Sequence, residues 1–365
     1  MLRGQFPVSK YIQGPGAIAQ CGKYLPVKSC SMLLVADSFV LSLIYDDLVA
    51  SSRSVDVSII PFEFGGECCE TEIERARESA VLNEVRAIIG AGGGKGIDTG
   101  RMVGHLLGLP VITVPTIAAT NAACSSLVGV YTEDHVYKYP VKTGRVPDLV
   151  VVDTAIIARA PVRSLVAGMG DTLTGKYEGR AMRLAGKKTV HDTVPSETAN
   201  RLSILAHDIV MEKGLLAKIS AEHKQPTPAL EDVVEAILFL GEAGAEAGGG
   251  TALAHGLHSG LSVVPETRDF YHGEKVAFCL IVQLVLENRS MEEIRNLQSF
   301  CLQVGLPVTL SQIGICEDIE EKLSAVVAKA CEPNGYVHNM PFVVEEEALL
   351  GAIRVADTLG RELLF

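Results

Sequence analysis

Over the first 155 residues, short β-branched apolar runs alternate with helical stretches. Beyond about Pro161 the strand signal almost vanishes. The strand candidates are Met32–Ala36, Asp56–Phe62, Arg86–Gly90, Pro110–Pro115 and Asp148–Val152, with Val8–Gln13 as a further edge strand. Helical stretches fall between several of them, notably Thr71–Leu82 and Gly96–Leu107. Apolar strands separated by helices predict a parallel sheet covered on both faces. Periodicity near 3.6 then dominates Thr193–Met211, Ala229–Ala245, Gly248–Leu261 and Gly273–Asn288. The expectation is an α/β nucleotide-binding domain over residues 1–160 and an all-α domain over 161–365. A chain of 365 residues, 48% of them apolar, can bury two cores.

The net charge of −12 argues against a nucleic-acid partner, which calls for a basic face. The nine cysteines are scattered without a C-x-x-C pair, and Cys68 and Cys69 are adjacent, so reduced thiols in a cytoplasm are expected. The start, Met1 to Pro7, lacks the apolar core of a signal peptide. The most apolar run, Val276 to Leu286, covers eleven residues and contains Gln283, too short to cross a bilayer. It reads as a buried helix, and no membrane partner is expected.

The strand reading Ala87-Ile88-Ile89 runs into Gly90-Ala91-Gly92-Gly93-Gly94-Lys95-Gly96, with a helix opening near Ile97-Asp98. Glycines let a backbone approach a pyrophosphate, and a helix N-terminus adds free N–H groups. A tight turn without a ligand has the same glycines. The run is not a Walker loop, since Gly96 stands where Ser or Thr is needed, and it is not a clean G-x-G-x-x-G. Asp37 ends the Leu33-Leu34-Val35-Ala36 strand, where a carboxylate can bind a ribose or cap the next helix. Thr116, Thr120, Asn121, Ser125 and Ser126 crowd the end of another strand, as ligand contacts or as turn residues.

Three residues of the second half suit an open metal site: Asp171 in Gly168-Met169-Gly170-Asp171, His255 in Ala254-His255-Gly256, and His272 in Tyr271-His272-Gly273. One carboxylate and two imidazoles match a borderline cation and leave a fourth position for water or substrate. Each lies beside small residues. Asp171 reads as part of a glycine-flanked turn opening a helix, where it could be an N-cap instead. His255 and His258 are spaced to share a helix face.

These motifs resemble the glycerol dehydrogenase branch of the iron-containing alcohol dehydrogenase superfamily over nearly the whole chain. The strongest pieces are Gly92-Gly93-Gly94-Lys95 with Asp98-Thr99, Val114-Pro115-Thr116-Ile117-Ala118, Pro147-Asp148-Leu149-Val150, Ala160-Pro161-Val162-Arg163, Gly170-Asp171, Ala254-His255 and His272-Gly273-Glu274-Lys275-Val276-Ala277. The resemblance implies a Rossmann-like N-terminal domain, a helical C-terminal domain of the dehydroquinate synthase-like kind, and an active site between them. It implies reversible hydride transfer between NAD(H) and a small alcohol or polyol by a cytoplasmic homo-oligomer. It maps Asp171, His255 and His272 onto the metal ligands. It maps Asp37, Gly92, Gly93, Gly94, Lys95, Asp98, Thr116, Ala119, Ser125, Leu127 and Tyr131 onto the cofactor site. Iron-dependent relatives add a histidine one turn after the aspartate. Gly175 stands there, so zinc is expected rather than iron, with His258 facing substrate.

The substrate loop departs from the family. Where glycerol dehydrogenases show Ser-Thr-Asp-Ala-Pro, this chain reads Ala119-Thr120-Asn121-Ala122-Ala123. An amide donates as well as accepts and carries no charge. The substitution therefore predicts weak use of glycerol and a shift toward hydroxy or oxo acids or a different small alcohol. The alternatives are a hydroxycarboxylate dehydrogenase on the same scaffold, a lyase of the dehydroquinate synthase type, and a nucleotide-binding regulator without catalysis.

Overall fold

The computed structural model describes residues 2–5, 8–245 and 248–364. The chain divides into two compact units, Pro7–Val162 with Ser220–Glu242, and Met1–Phe6 with Arg163–Ile219 and Ala243–Phe365.

The first unit is built on six parallel strands. They are β1 (Lys10–Gly14), β2 (Cys30–Ala36), β3 (Val57–Glu63), β4 (Ala87–Gly92), β5 (Val111–Pro115) and β8 (Leu149–Asp153). Their order across the sheet is β1-β8-β5-β4-β2-β3, so β1 is an edge strand as the sequence suggests. The predicted strands are all present, shifted by one or two residues at their ends. The period-two rule is visible in β2. Met32, Leu34 and Ala36 pack with Val40, Ile44 and Leu48 of helix α1 (Ser38–Ser52). Leu33 and Val35 face the other way, into a cluster holding Ile73, Ala76 and Ala80 of α2 (Glu70–Leu82) and Met102 and Val103 of α3 (Gly94–Leu107). Alternate residues thus serve two cores, which is why these strands read as unbroken apolar runs.

Two features of this unit lie outside the sequence reading. An antiparallel hairpin joins β6 (Leu127–Tyr131) to β7 (Tyr137–Lys142). β7 is almost wholly exposed and contains Pro140, so it carries no hydrophobic alternation. The chain also returns to the unit at Ser220–Glu242, for which a single division at residue 160 makes no provision. The stretch read as one helix from Ala229 to Ala245 is helix α6 (Pro228–Glu235), a π-helical turn at Ala236–Leu240, and a short helix at Gly241–Gly244. Gln13 on β1 donates to both the backbone and the side chain of Glu231 at 2.9 Å, and Tyr11 packs its ring on Phe239.

The second unit is helical, with α4 (Val162–Ala185), α5 (Glu197–Glu222, whose last turn lies in the first unit), α7 (Leu253–Leu261) and α8 (His272–Leu286) as the elements that matter here. From Val276 to Leu284 every residue of α8 is at most 1% exposed, as a helix that is apolar all round requires. No helix among the described residues is long and apolar enough to cross a membrane. The nine cysteines are free thiols.

Candidate active site

The glycine run forms the tip of β4 and the first turn of α3. Gly92 has φ of +115°, a conformation closed to other residues at little cost, and turns the chain off the sheet. The helix starts at Gly94, two residues before the Gly96–Leu107 stretch read from the sequence, with Gly93 as its uncapped N-cap. No side chain closes this N-terminus, which leaves first-turn N–H groups for an anion. Lys95 lies in that turn. Its Nζ pairs with Glu67 at 2.5 Å and stands 5.2 Å from the Tyr131 ring centre. The Thr116 backbone N–H donates to the Gly92 carbonyl, which ties the next strand end to the loop.

Asp37 caps α1, accepting from the Val40 N–H at 2.9 Å through Oδ1. Its Oδ2 stays beside Gly92, 4.0 Å from where a β-carbon on that glycine would sit. The cap therefore uses Oδ1 alone. Asp98 has both oxygens in use, one on Arg101 at 2.9 Å and the other on the Gly129 N–H at 3.0 Å. It anchors the hairpin to α3, and Ser125 shapes the same corner by accepting from the Leu127 N–H. Ala119 and Asn121 lie in the loop after β5. Asn121 Nδ2 donates to Glu242 Oε2 at 3.4 Å, and Glu242 is 1% exposed.

The second unit brings Asp171, His255 and His272 together. Asp171 Oδ1 is 3.4 Å from each histidine Nε2, and the two Nε2 atoms are 3.3 Å apart. Tetrahedral bonds of about 2.0–2.1 Å to one ion would place donors about 3.3–3.4 Å apart, so the triangle has the size of a three-ligand face. Asp171 does not open a helix as the sequence reading has it. It is the tenth residue of α4, and the glycines beside it serve another purpose. A β-carbon on Gly170 would come 2.4 Å from the Gly273 carbonyl, and one on Gly273 would come 1.8 Å from the Ala167 carbonyl. The two helices touch backbone to backbone there, which carries Asp171 up to His272. A capping box with Glu274 fixes the start of α8, and Arg163 holds that carboxylate at 2.6 and 2.8 Å.

Glu178 is absent from the sequence reading. It stands two turns along α4 from Asp171 and is 1% exposed. It accepts from His255 Nδ1 at 2.6 Å, from the His255 N–H at 3.0 Å and from the Ala252 N–H at 2.8 Å. The carboxylate thus caps α7, which has no cap of its own, and by holding Nδ1 it turns Nε2 of His255 toward Asp171. Its seven-residue spacing from Asp171 was the available signal. Burial alone would lower the His255 pKa, but Glu178 and Asp171 carry it up to about 10. Burial would raise Asp171, and the two histidines hold it well below the carboxylate range. The cluster is a sink for positive charge. His258 lies outside the triangle, with its ring 4.3 Å from that of His272, and burial with the neighbouring cations pushes its pKa well down.

A parallel nucleotide-type sheet and an open one-carboxylate, two-imidazole cluster define a metal-dependent, nucleotide-linked oxidoreductase. The comparisons agree. The profile of the iron-containing alcohol dehydrogenase family matches residues 8–154. Glycerol dehydrogenase of Pseudomonas putida is 42% identical over 97% of both chains. That of Citrobacter freundii is 40% identical over 98% of this chain and 97% of its own. The crystal structure of glycerol dehydrogenase from Schizosaccharomyces pombe, 30% identical, superposes with a TM-score of 0.93 over 99% of this chain and 93% of that one. The chain belongs to the iron-containing alcohol dehydrogenase family, within its glycerol dehydrogenase branch. It is an NAD-linked, metal-dependent oxidoreductase. The resemblance, the fold class and the enzyme class read from the sequence are borne out, and the lyase and regulator readings fall away.

Proposed function

We propose that this enzyme interconverts a small polyol and its carbonyl form, with NAD bound at the β4–α3 loop and one zinc ion held by Asp171, His255 and His272. The donor triangle of the metal cluster carries the reading, because its 3.3–3.4 Å edges bring one carboxylate and two imidazoles close enough to share one ion and leave a further position open. Gly175 supports zinc as well. Its missing side chain would meet Ser203 at 3.3 Å, and it offers no fourth protein ligand. The chemistry supplied by the ion is Lewis acidity toward an alcohol or carbonyl oxygen.

The chain's own residues do the rest. Glu178 keeps His255 in the ligating tautomer. His258, whose pKa burial and the neighbouring cations push down, is the residue we assign to relay a hydroxyl proton. The Gly94–Gly96 backbone takes the cofactor diphosphate and Lys95 adds charge, while the free oxygen of Asp37 takes the adenosine ribose. The exposed Leu205, Leu215, Leu216 and Ile219 of α5 support assembly into a homo-oligomer.

The test joins metal analysis to a substrate panel of vicinal diols, polyols and hydroxy acids, read at the nicotinamide absorbance band. One zinc per chain and NADH formation from polyols are expected. Full activity in a metal-stripped preparation that contains no divalent ion would overturn the reading.

A further inference from the structure

We infer that Glu242 is a specificity-determining positioning residue, which fixes the Asn121 amide so that its oxygen, not its nitrogen, is offered to substrate, and that the substrate is therefore a neutral polyol rather than a hydroxy acid. This rests on the proposal that the loop after β5 meets substrate.

An asparagine is ambiguous, because its two ends exchange donor for acceptor by a flip. Here a buried carboxylate resolves it. Asn121 Nδ2 lies 3.4 Å from Glu242 Oε2. The nitrogen faces it, the arrangement that an ionised carboxylate, which only accepts, requires. Oδ1 then accepts from none of the described residues and is the group left for a ligand. It accepts a hydroxyl proton from a polyol, and it offers nothing to a substrate carboxylate.

The fold brings Glu242 here on purpose-built backbone. The π-helical turn Ala236–Leu240 ends directly before Gly241 and Glu242. Such turns widen a helix and re-aim the residues after them. A β-carbon on Gly241 would lie 3.6 Å from Asn121 Cβ, so this turn is already in van der Waals reach of the loop. With 1% of its surface exposed, Glu242 has no route to swing away. An aspartate at 121 would set two carboxylates against each other, which drives one to hold a proton or the pair apart. The substitution read from the sequence as a loss of polyol recognition is therefore compensated by a residue 121 positions away in sequence.

The experiment compares the metal-loaded wild type with Glu242→Gln, Asn121→Asp and the double variant. Two readouts are used: kcat/KM for glycerol against glycerate, and thermal unfolding without substrate. The wild type is expected to prefer glycerol. Glu242→Gln frees the amide to flip and should lower the glycerol-to-glycerate ratio about tenfold, mainly through KM. Asn121→Asp alone should lower glycerol efficiency by a similar factor and lower Tm. The double variant, which restores one acceptor and one donor to the pair, should recover both to near wild type. A preference of the wild type for glycerate, an unchanged ratio in Glu242→Gln, or a double variant no better than Asn121→Asp would overturn the inference. Recovery of Tm without recovery of the ratio would show a pair that stabilises the loop only, and would overturn the specificity role. Absence of NADH formation from every polyol by the wild type would sink the functional proposal itself, while the Tm cycle would still report on the pair.

Discussion

The nucleotide end of the first unit and the metal cluster of the second are made in different ways. The first is made of backbone. Gly92, Gly93 and the opening turn of α3 are consecutive, and what they offer is main-chain N–H. The second is made of side chains from three helices, with residues spread from Asp171 to His272. A backbone site divides its work among several equivalent groups, so no one side chain should be decisive. A side-chain site of three ligands has no redundancy. The two should therefore answer very differently to point substitution.

The largest effect is expected at the ligands. His255→Ala or His272→Ala should lower kcat/KM by roughly 10³-fold or more, about 4 kcal/mol, and remove the bound ion. NAD binding, followed by fluorescence, should remain. Retention of a full complement of zinc in either variant would break the contrast.

Glu178 comes next. It touches no substrate, yet it orients a ligand and caps α7 at once. Glu178→Gln keeps the shape and the acceptor oxygen but loses the charge, and should weaken metal affinity about 10- to 100-fold. A chelator titration measures it. An unchanged affinity would mean that the His255 orientation is set by packing alone.

At the nucleotide end the same logic gives a smaller number. Asp37→Asn keeps an acceptor for the α1 cap and removes the charge near the ribose. The bare repulsion between that carboxylate and a 2′-phosphate at about 4 Å is roughly 4 kcal/mol at an effective dielectric of 20, and solvent screens much of it. The ratio of NAD to NADP efficiency should fall about tenfold. A wild type that already favours NADP would remove Asp37 from the site.

The same contrast explains what could be read in advance. Strands β2, β4 and β5 announce themselves because both faces are buried and their residues are mostly apolar. The glycine loop is legible because its residues are adjacent. The cluster of Asp171, His255 and His272, proposed as the metal ligands, was legible from its motifs, but the reason for the glycines was not. Gly170 and Gly273 read as turn residues, whereas they are a helix crossing whose two halves are about a hundred positions apart. Glu178 and Glu242 went unread for the same reason. Each is an ordinary glutamate in a helical pattern until folding places it against a partner, and only burial at 1% marks it out. The hairpin at β6 and β7 escaped because an exposed strand has no pattern to find.

The smallest effect should come at Lys95, although it is the residue that a reader of loops would choose first. Its Nζ is shared with Glu67, and its side chain is 44% exposed, so solvent screens whatever charge the pair leaves over. Glu67 also holds His135 at 2.6 Å and the Cys68 N–H at 2.9 Å, so that carboxylate stays in place when the lysine is lost. The N–H groups of the α3 first turn are untouched by the substitution. Lys95→Met should raise the dissociation constant for NAD only about three- to tenfold, or about 1 kcal/mol, and should flatten its dependence on salt. Calorimetry at two ionic strengths gives both quantities. A loss of a hundredfold or more would mean that this end of the molecule, like the metal cluster, hangs on a single side chain.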